Sequence, residues 1–380
     1  MAVTTVVTGR RTDTGEPVAV SIRDGAIAAI APGPADDGAW LAPGLVDLQL
    51  NGWRGHDLNN GRLTPDTVRA LARAVLATGV TAFLPTLITA AEADIVSALR
   101  AIAAARAADP LVARMVAGVH VEGPGVAPED GPRGAHPREH VRAPDLAEFD
   151  RWQAACGGLV RLVTLSPHWP DAPAVIAGLA ARGVVVSLGH TGVDPAAIHA
   201  AALAGATLST HLGNGVAAVL PRHPNLIWAQ LAEDRLSASF IADGHHLPDD
   251  TLKAMLRAKG LDRSLLVSDA TALGGMPPGV YDQAIGGRVE LTPQGRLGVA
   301  GTPYLAGAAL PLAAGVATAM RAAGLSLWEA LRLASVNPAR LIGRKAELAV
   351  GARADLLRFR WSPGDAALAV DSVYSGGETA

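Results

Sequence analysis

The chain has 380 residues, 49% hydrophobic and 18% charged, with a net charge of −3 at pH 7. That composition supports a sizeable core and excludes a disordered chain. No block of Lys or Arg is present, which argues against a nucleic-acid or anionic-membrane partner. A single cysteine, Cys156, permits no intrachain disulfide and fits a reducing, cytoplasmic setting. Met1 to Gly9 lacks an apolar signal core preceded by positive charge.

In chain order, Val3–Thr8 and Val18–Ile22 read as short strands, and Asp24-Gly25 marks a hairpin turn before Ala26–Ile30. These strands cannot bury themselves. The segments Ala354–Arg358 and Ala367–Tyr374 near the other end have the same character. The two ends are therefore expected to meet in a small β-sandwich domain, residues 1–44 with 346–380, flanking a unit of residues 45–345.

Strand and helix patterns alternate through that unit. Strands are expected at Leu45–Leu50, Thr81–Pro85, Met115–Val119, Leu159–Leu165, Val184–Leu188, Ala206–Ser209, Ser237–Ile241 and Leu265–Val267. Helical patterns intervene at Thr64–Ala77, Ala91–Ala107, Pro144–Ala155, Ala172–Ala181, Pro195–Ala204 and Asp249–Ala258. Thr64-Pro65-Asp66 and Asp194-Pro195 are helix-start signals. Residues Asn214 to Glu233 have no clear pattern. Leu310–Ala323 and Ser326–Ala334 read as closing helices. The uncharged stretch Leu297–Ala319 is alanine-rich and interrupted by prolines and glycines, so it reads as a buried loop and helix rather than a membrane span. Eight strand-helix units point to an α/β (β/α)8 TIM-like barrel, with an open doubly wound sheet as the alternative.

Barrel chemistry sits at the C-terminal ends of the strands. The polar residues expected there are Asn51, Thr86, Glu122, His168, His190, His211, Asp243 with His245 and His246, and Asp269. A carboxylate leaves water only when paired or bound to metal. Glu122, in His120-Val121-Glu122-Gly123-Pro124, therefore needs a partner, and His190 and His211 at later strand ends supply one. Together they form a His2Glu set of the kind that holds catalytic zinc and leaves a position open. Fe2+, Mn2+ or Co2+ would also suit these donors. Asp269 reads either as a further ligand or anchor, or as the general base, which is the favoured role.

Two absences bear on metal number. Where many such barrels carry His-x-His after the first strand, this chain has Gln49-Leu50-Asn51, and amides are poor zinc ligands beside imidazole. The lysines Lys253, Lys259 and Lys345 all lie away from strand ends, so no carboxylated lysine bridges two ions. One divalent metal ion per subunit is expected.

These motifs resemble the N-acetylglucosamine-6-phosphate deacetylases of the amidohydrolase superfamily. The resemblance rests on Ala42-Pro43-Gly44-Leu45-Val46-Asp47, Gln49-Leu50-Asn51-Gly52, Leu84-Pro85-Thr86, His120 to Pro124 and Gly134-Ala135-His136-Pro137. It continues through Gly189-His190, Thr210-His211-Leu212, Ile241-Ala242-Asp243-Gly244 with His246, Ser268-Asp269-Ala270, Asn337-Pro338-Ala339 and Gly351 to Asp355. It implies metal ligation by Glu122, His190 and His211, and acid/base catalysis by Asp269. It further implies that His136 polarises the acetamide carbonyl and that His246 contacts the sugar. Asn214, the Gly215 amide and Arg222 fall where the family binds the sugar phosphate. In that family the arginine reaches across a homodimer interface.

The chain departs from the family pattern around the substrate. Gly213-Asn214-Gly215 replaces a bulkier sequence after His-Leu. Leu165-Ser166-Pro167-His168 lacks the family's acidic residue, and Gly301-Thr302-Pro303-Tyr304-Leu305 replaces a serine-rich segment. His168 reads either as an added contact or as a loop histidine stacked on Trp169. His120 reads as a buried neighbour of the site and Cys156 as packing. The expected reaction is metal-dependent deacetylation of an acetylated amino sugar phosphate. Alternatives are hydrolysis of another N-acyl substrate, such as an unphosphorylated acetylated sugar or an N-acyl amino acid, and an inactive sugar-binding barrel.

Overall fold

The computed structural model describes residues 4–34, 38–283, 286–302 and 304–379. Eight parallel strands run in chain order around one sheet. They are β1 (Leu45–Leu50), β2 (Val80–Ile88), β3 (Val119–Glu122), β4 (Val160–Leu165), β5 (Val185–Leu188), β6 (Leu208–Ser209), β7 (Ser237–Ile241) and β8 (Ser264–Val267). The ring closes just beyond the last strand. Leu50 forms a parallel bridge with Ala270, the Asn51 amide donates to the Ala270 carbonyl at 2.8 Å, and the Asp269 amide donates to the Gln49 carbonyl at 2.9 Å. The fold is thus a barrel, and the open-sheet alternative falls.

The strands are apolar on both faces because both are covered. Val46, Leu48, Leu84, Leu162, Ile241 and Val267 pack in one cluster that fills the barrel interior. The outward residues join the larger cluster shared with the surrounding helices. The helix starts follow the sequence signals. Thr64 accepts from the Thr67 amide ahead of Pro65–Leu76, and Asp194 accepts from the Ala197 amide ahead of Pro195–Ala204.

One irregularity matters for the site. With Val46 and Leu48 facing inward, regular alternation would send Gln49 outward. The β1–β2 register instead shifts between Asp47 and Leu50. Such an irregularity re-aims a side chain, and Gln49 reaches inside the ring to Glu122.

A seven-stranded sheet flanks the barrel. Its strands come from Thr5–Pro43 and Leu356–Thr379, with Trp40–Pro43 pairing both halves. Val7, Val20, Ile22, Ile27, Leu41 and Leu356 form its buried side.

The structure adds an element that the sequence reading lacks. After β8 the chain makes a three-stranded antiparallel sheet, Gly279–Gln283, Gly287–Leu291 and Leu297–Val299. The stretch Leu297–Ala319, read as loop and helix, therefore begins as a strand, and its helix is Leu312–Ala323. These strands are short and mostly exposed or half-exposed, so they carry little apolar periodicity. The patternless region Asn214–Glu233 is a loop followed by the helix Leu226–Ala232. No helix among the described residues is long and apolar enough to cross a membrane.

Candidate metal centre

Glu122 is the last residue of β3 and is 3% exposed. His190, His211 and Asp269 each lie two residues past the ends of β5, β6 and β8. All three take positive φ, 48°, 28° and 49° respectively. Non-glycine residues in this region cost about 1–3 kcal/mol and persist where the surroundings over-determine them. The sharp turn lifts each side chain off its strand and onto the barrel axis. Gly215 makes room for this, since a Cβ there would lie 2.9 Å from the His190 ring.

Three side chains converge at the axis. His211 Nε2 lies 3.0 Å from Glu122 Oε1 and 3.1 Å from His190 Nε2. His190 Nε2 lies 3.3 Å from Glu122 Oε1. Ligands about 2.0–2.1 Å from a tetrahedral ion are roughly 3.3 Å apart, so this triangle has the size of one face of such a site. His190 Nδ1 donates to the Pro132 carbonyl at 2.9 Å, which leaves the neutral ring's Nε2 presenting a lone pair inward. Ring nitrogens and a carboxylate oxygen at this distance are held together by a cation or by a proton shared between them.

His136 belongs to the same cluster. Its Nε2 lies 3.2 Å from His190 Nε2 and 3.9 Å from Glu122 Oε2, while its Nδ1 meets the Thr89 hydroxyl at 2.8 Å. Glu122, His136 and His190 have ligand atoms all within 4.8 Å of one another. The sequence reading placed His136 on the substrate. The geometry puts it within reach of the same ion as well.

Electrostatics follow from burial and from this crowding. Burial alone would raise Glu122, but close contact with His190 and His211 holds its carboxyl well below the usual range. Burial and the neighbouring His190 push His136 down to about 3, so it stays neutral. Asp269 is raised to about 6, first by burial and then by the Glu122 charge. Its Oδ1 accepts from Asn51 Nδ2 at 2.7 Å. Asp243 holds His246, with Oδ2 at 2.8 Å from Nδ1, leaving His246 Nε2 for a ligand.

Gln49 is the residue whose role sequence reasoning missed. Its amide donates to Glu122 Oε1 at 2.9 Å and its carbonyl accepts from the Thr210 hydroxyl at 2.8 Å. It fills the place of a second-metal histidine and ties Glu122 to the turn that carries His211. The Gln49→Leu variant is expected to bind metal about 10–100-fold more weakly, the usual consequence of losing a partner that orients a ligand. Competition against a chromophoric chelator measures this, and unchanged affinity would remove Gln49 from the centre.

The site opens into a cavity of about 360 Å3. Its lining includes Asn51, Glu122, His136, His190, His211, Asn214, Gly215, His246 and Asp269. The post-β8 insertion contributes Gln283 and Tyr304 to Gly307. Pro303, also named in the sequence reading, lies outside the described residues. Among the described residues no arginine or lysine lines the cavity. Arg222 is exposed in the loop before Leu226–Ala232 and stands apart from it.

The remaining candidates have structural partners. His168 stacks on Trp169 with ring centroids 4.3 Å apart, bonds Ser166 Oγ at 2.8 Å, and does not line the cavity. His120 is buried, with Nε2 at 2.8 Å from the Thr164 hydroxyl. Lys259, also buried, donates to the Gln230 and Glu233 carbonyls at 2.8 Å each. Cys156 is buried and its thiol bonds the Trp152 carbonyl.

Comparison with known proteins agrees with this architecture. Residues 40–380 match the model of the amidohydrolase family. The human N-acetylglucosamine-6-phosphate deacetylase is 36% identical, over 90% of this chain and 83% of its own length. The N-acetylgalactosamine-6-phosphate deacetylase of Escherichia coli O157:H7 is 31% identical, over 94% of this chain and 93% of its own. A mutant N-acetyl-D-glucosamine-6-phosphate deacetylase of Mycobacterium smegmatis, solved with N-acetyl-D-glucosamine-6-phosphate, superposes with a TM-score of 0.85. It is 32% identical and covers 96% of this chain and 94% of its own. A barrel closed at Leu50–Ala270, a Glu-His-His cluster at its strand ends and these matches agree: the chain belongs to the amidohydrolase family, in its N-acetylglucosamine-6-phosphate deacetylase branch.

Proposed function

We propose that the chain hydrolyses the N-acetyl amide of N-acetylglucosamine 6-phosphate, giving glucosamine 6-phosphate and acetate. The family supplies the reaction class, hydrolysis of an amide C–N bond. The observation that carries the proposal is the convergence of Glu122, His190 and His211 beside a carboxylate, Asp269, that lines the same cavity.

Glu122, His190 and His211 are the residues that would hold one divalent ion, Zn2+ first among the candidates. Once bound, such an ion polarises a carbonyl and lowers the pKa of water. The remaining work falls to side chains. Asp269 takes the proton of the attacking water as the new C–O bond forms. Asn51 holds one of its oxygens in place. The neutral His136, fixed through Thr89, offers Nε2 toward the carbonyl oxygen as negative charge develops there. Asp269 then returns the proton to the nitrogen as the C–N bond breaks. Without that step the leaving group would be an amide anion, which does not depart.

The phosphate needs positive charge, and among the described residues no arginine or lysine of this chain lines the cavity. Asn214 and the Gly215 amide stand at its edge, and Arg222 of the partner subunit would complete the site in a homodimer. A guanidinium fork suits phosphate oxygens. Val219 and Trp228, 85% and 55% exposed on either side of Arg222 in sequence, support a surface that a second copy covers. The same lack of charge favours one alternative, an unphosphorylated acetylated sugar.

Acetate release from the phosphorylated and the unphosphorylated sugar separates the two. The phosphate ester is expected to be strongly preferred. Arg222→Ala is expected to lower its kcat/KM about 10–100-fold, the worth of a charge-assisted bond, and to leave the unphosphorylated sugar unaffected. Equal turnover of both sugars by the wild type would discard the phosphate site.

A further inference from the structure

Asp57 is a cavity-lining carboxylate that this mechanism does not use. It lies in the short hairpin after β1, where Gly52–Trp53 pairs with His56–Asp57. Its Oδ1 accepts from the Asn59 amide at 2.8 Å. Asn59 is clamped in turn to the end of β2, with Nδ2 at 3.0 Å from the Thr86 carbonyl and Oδ1 accepting from the Ile88 amide at 2.9 Å. The Asp57 carboxylate is thus held through Oδ1 by a residue that is itself anchored, with its other oxygen uncommitted. Among the described residues no arginine, lysine or histidine pairs with it, although burial pushes its carboxyl upward. The second oxygen of this half-buried carboxylate carries no hydrogen bond from the described residues and faces the cavity. A ligand with a hydroxyl to donate supplies that bond.

The placement narrows which part of a ligand that is. Glu122 and Asp269 line the same cavity, so Asp57 adds a further negative group and repels a phosphate. Asn214 and Gly215 follow β6. In an eight-stranded ring that strand faces β2, where Asp57 and Asn59 are anchored. A sugar phosphate spanning the cavity would place its phosphate on the β6 side and its hydroxyl edge against Asp57. Resting on the proposed function, we infer that Asp57 is a specificity-determining residue that accepts a hydrogen bond from the C3 or C4 hydroxyl of the sugar.

Asp57→Asn tests this while keeping an oxygen for the Asn59 amide. The variant and the wild type are assayed on N-acetylglucosamine 6-phosphate and on its 3-deoxy and 4-deoxy analogues. On the parent sugar the variant is expected to lose about 10- to 100-fold in kcat/KM, mainly through KM, the scale of a hydrogen bond to a charged group. The wild type is expected to lose a similar factor on one deoxy analogue, and the variant to lose little more on that analogue. Asp57→Ser, which also offers an oxygen to Asn59, should show the same pattern if the asparagine variant folds poorly. A variant as active as the wild type on the parent sugar overturns the inference. So does a loss repeated undiminished on both analogues, which would make Asp57 a prop of the cavity wall. A wild type that releases no acetate from the parent sugar would instead overturn the proposed function, and this inference with it.

Discussion

Asp269→Asn is expected to lower kcat for acetate release by roughly 10²–10⁴-fold, the usual contribution of a general acid-base group. The substitution is close to isosteric, and its side-chain oxygen still accepts from Asn51. Metal affinity should change little, because the ligand atoms belong to Glu122, His190 and His211. Stability should not suffer either. Burial and the Glu122 charge push Asp269 up to about 6, so the ionised form is disfavoured in the fold. An amide removes that penalty, and the metal-free variant is expected to melt at or above the wild-type temperature at neutral pH. Activity within about tenfold of wild type would take Asp269 out of the proton transfers, because the normal worth of such a group exceeds that.

Glu122→Gln is expected to abolish both metal retention and turnover. Glu122 is the one anionic member of the cluster, and its Oε1 is shared among His190, His211 and Gln49. An amide is a weak ligand beside imidazole, and it brings a donor group into a cluster already supplied with one by Gln49. The affinity loss should exceed the roughly 100-fold upper range expected for a residue that only orients a ligand, and so exceed that of Gln49→Leu. Metal analysis after dialysis reads this directly. Wild-type metal content in the variant would contradict the assignment of Glu122 as a ligand.

The core of the site is legible in the sequence because its members sit at strand ends. Apolar runs locate β5, β6 and β8, and His190, His211 and Asp269 each come two residues after the strand; the run Met115–Val119 misplaces β3, which is Val119–Glu122, because Met115 ends the helix Pro110–Met115. What stays hidden depends on geometry that periodicity does not encode. Gln49 reads as a poor ligand, and its part in holding Glu122 emerges only through the register shift between Asp47 and Leu50. His136 lies in a glycine- and proline-rich loop, so its place beside Glu122 and His190 rests on its contact with Thr89 rather than on any pattern. Asp57 shows no signal at all, since an aspartate after a glycine-rich turn is ordinary turn chemistry. The insertion that supplies Gln283 and Tyr304 to the cavity is built from strands too short and too polar to stand out. Arg222 is named by resemblance, and within a single chain it stands outside the cavity.

The most direct test is a metal titration read by turnover. Chelated protein is supplied with increasing Zn2+, and acetate and free amine released from N-acetylglucosamine 6-phosphate are measured together. The account predicts no turnover without metal, and equimolar acetate and amine rising linearly to a plateau at one ion per chain. Turnover by the metal-free protein, or a plateau reached only at two ions per chain, would contradict a single centre built from Glu122, His190 and His211.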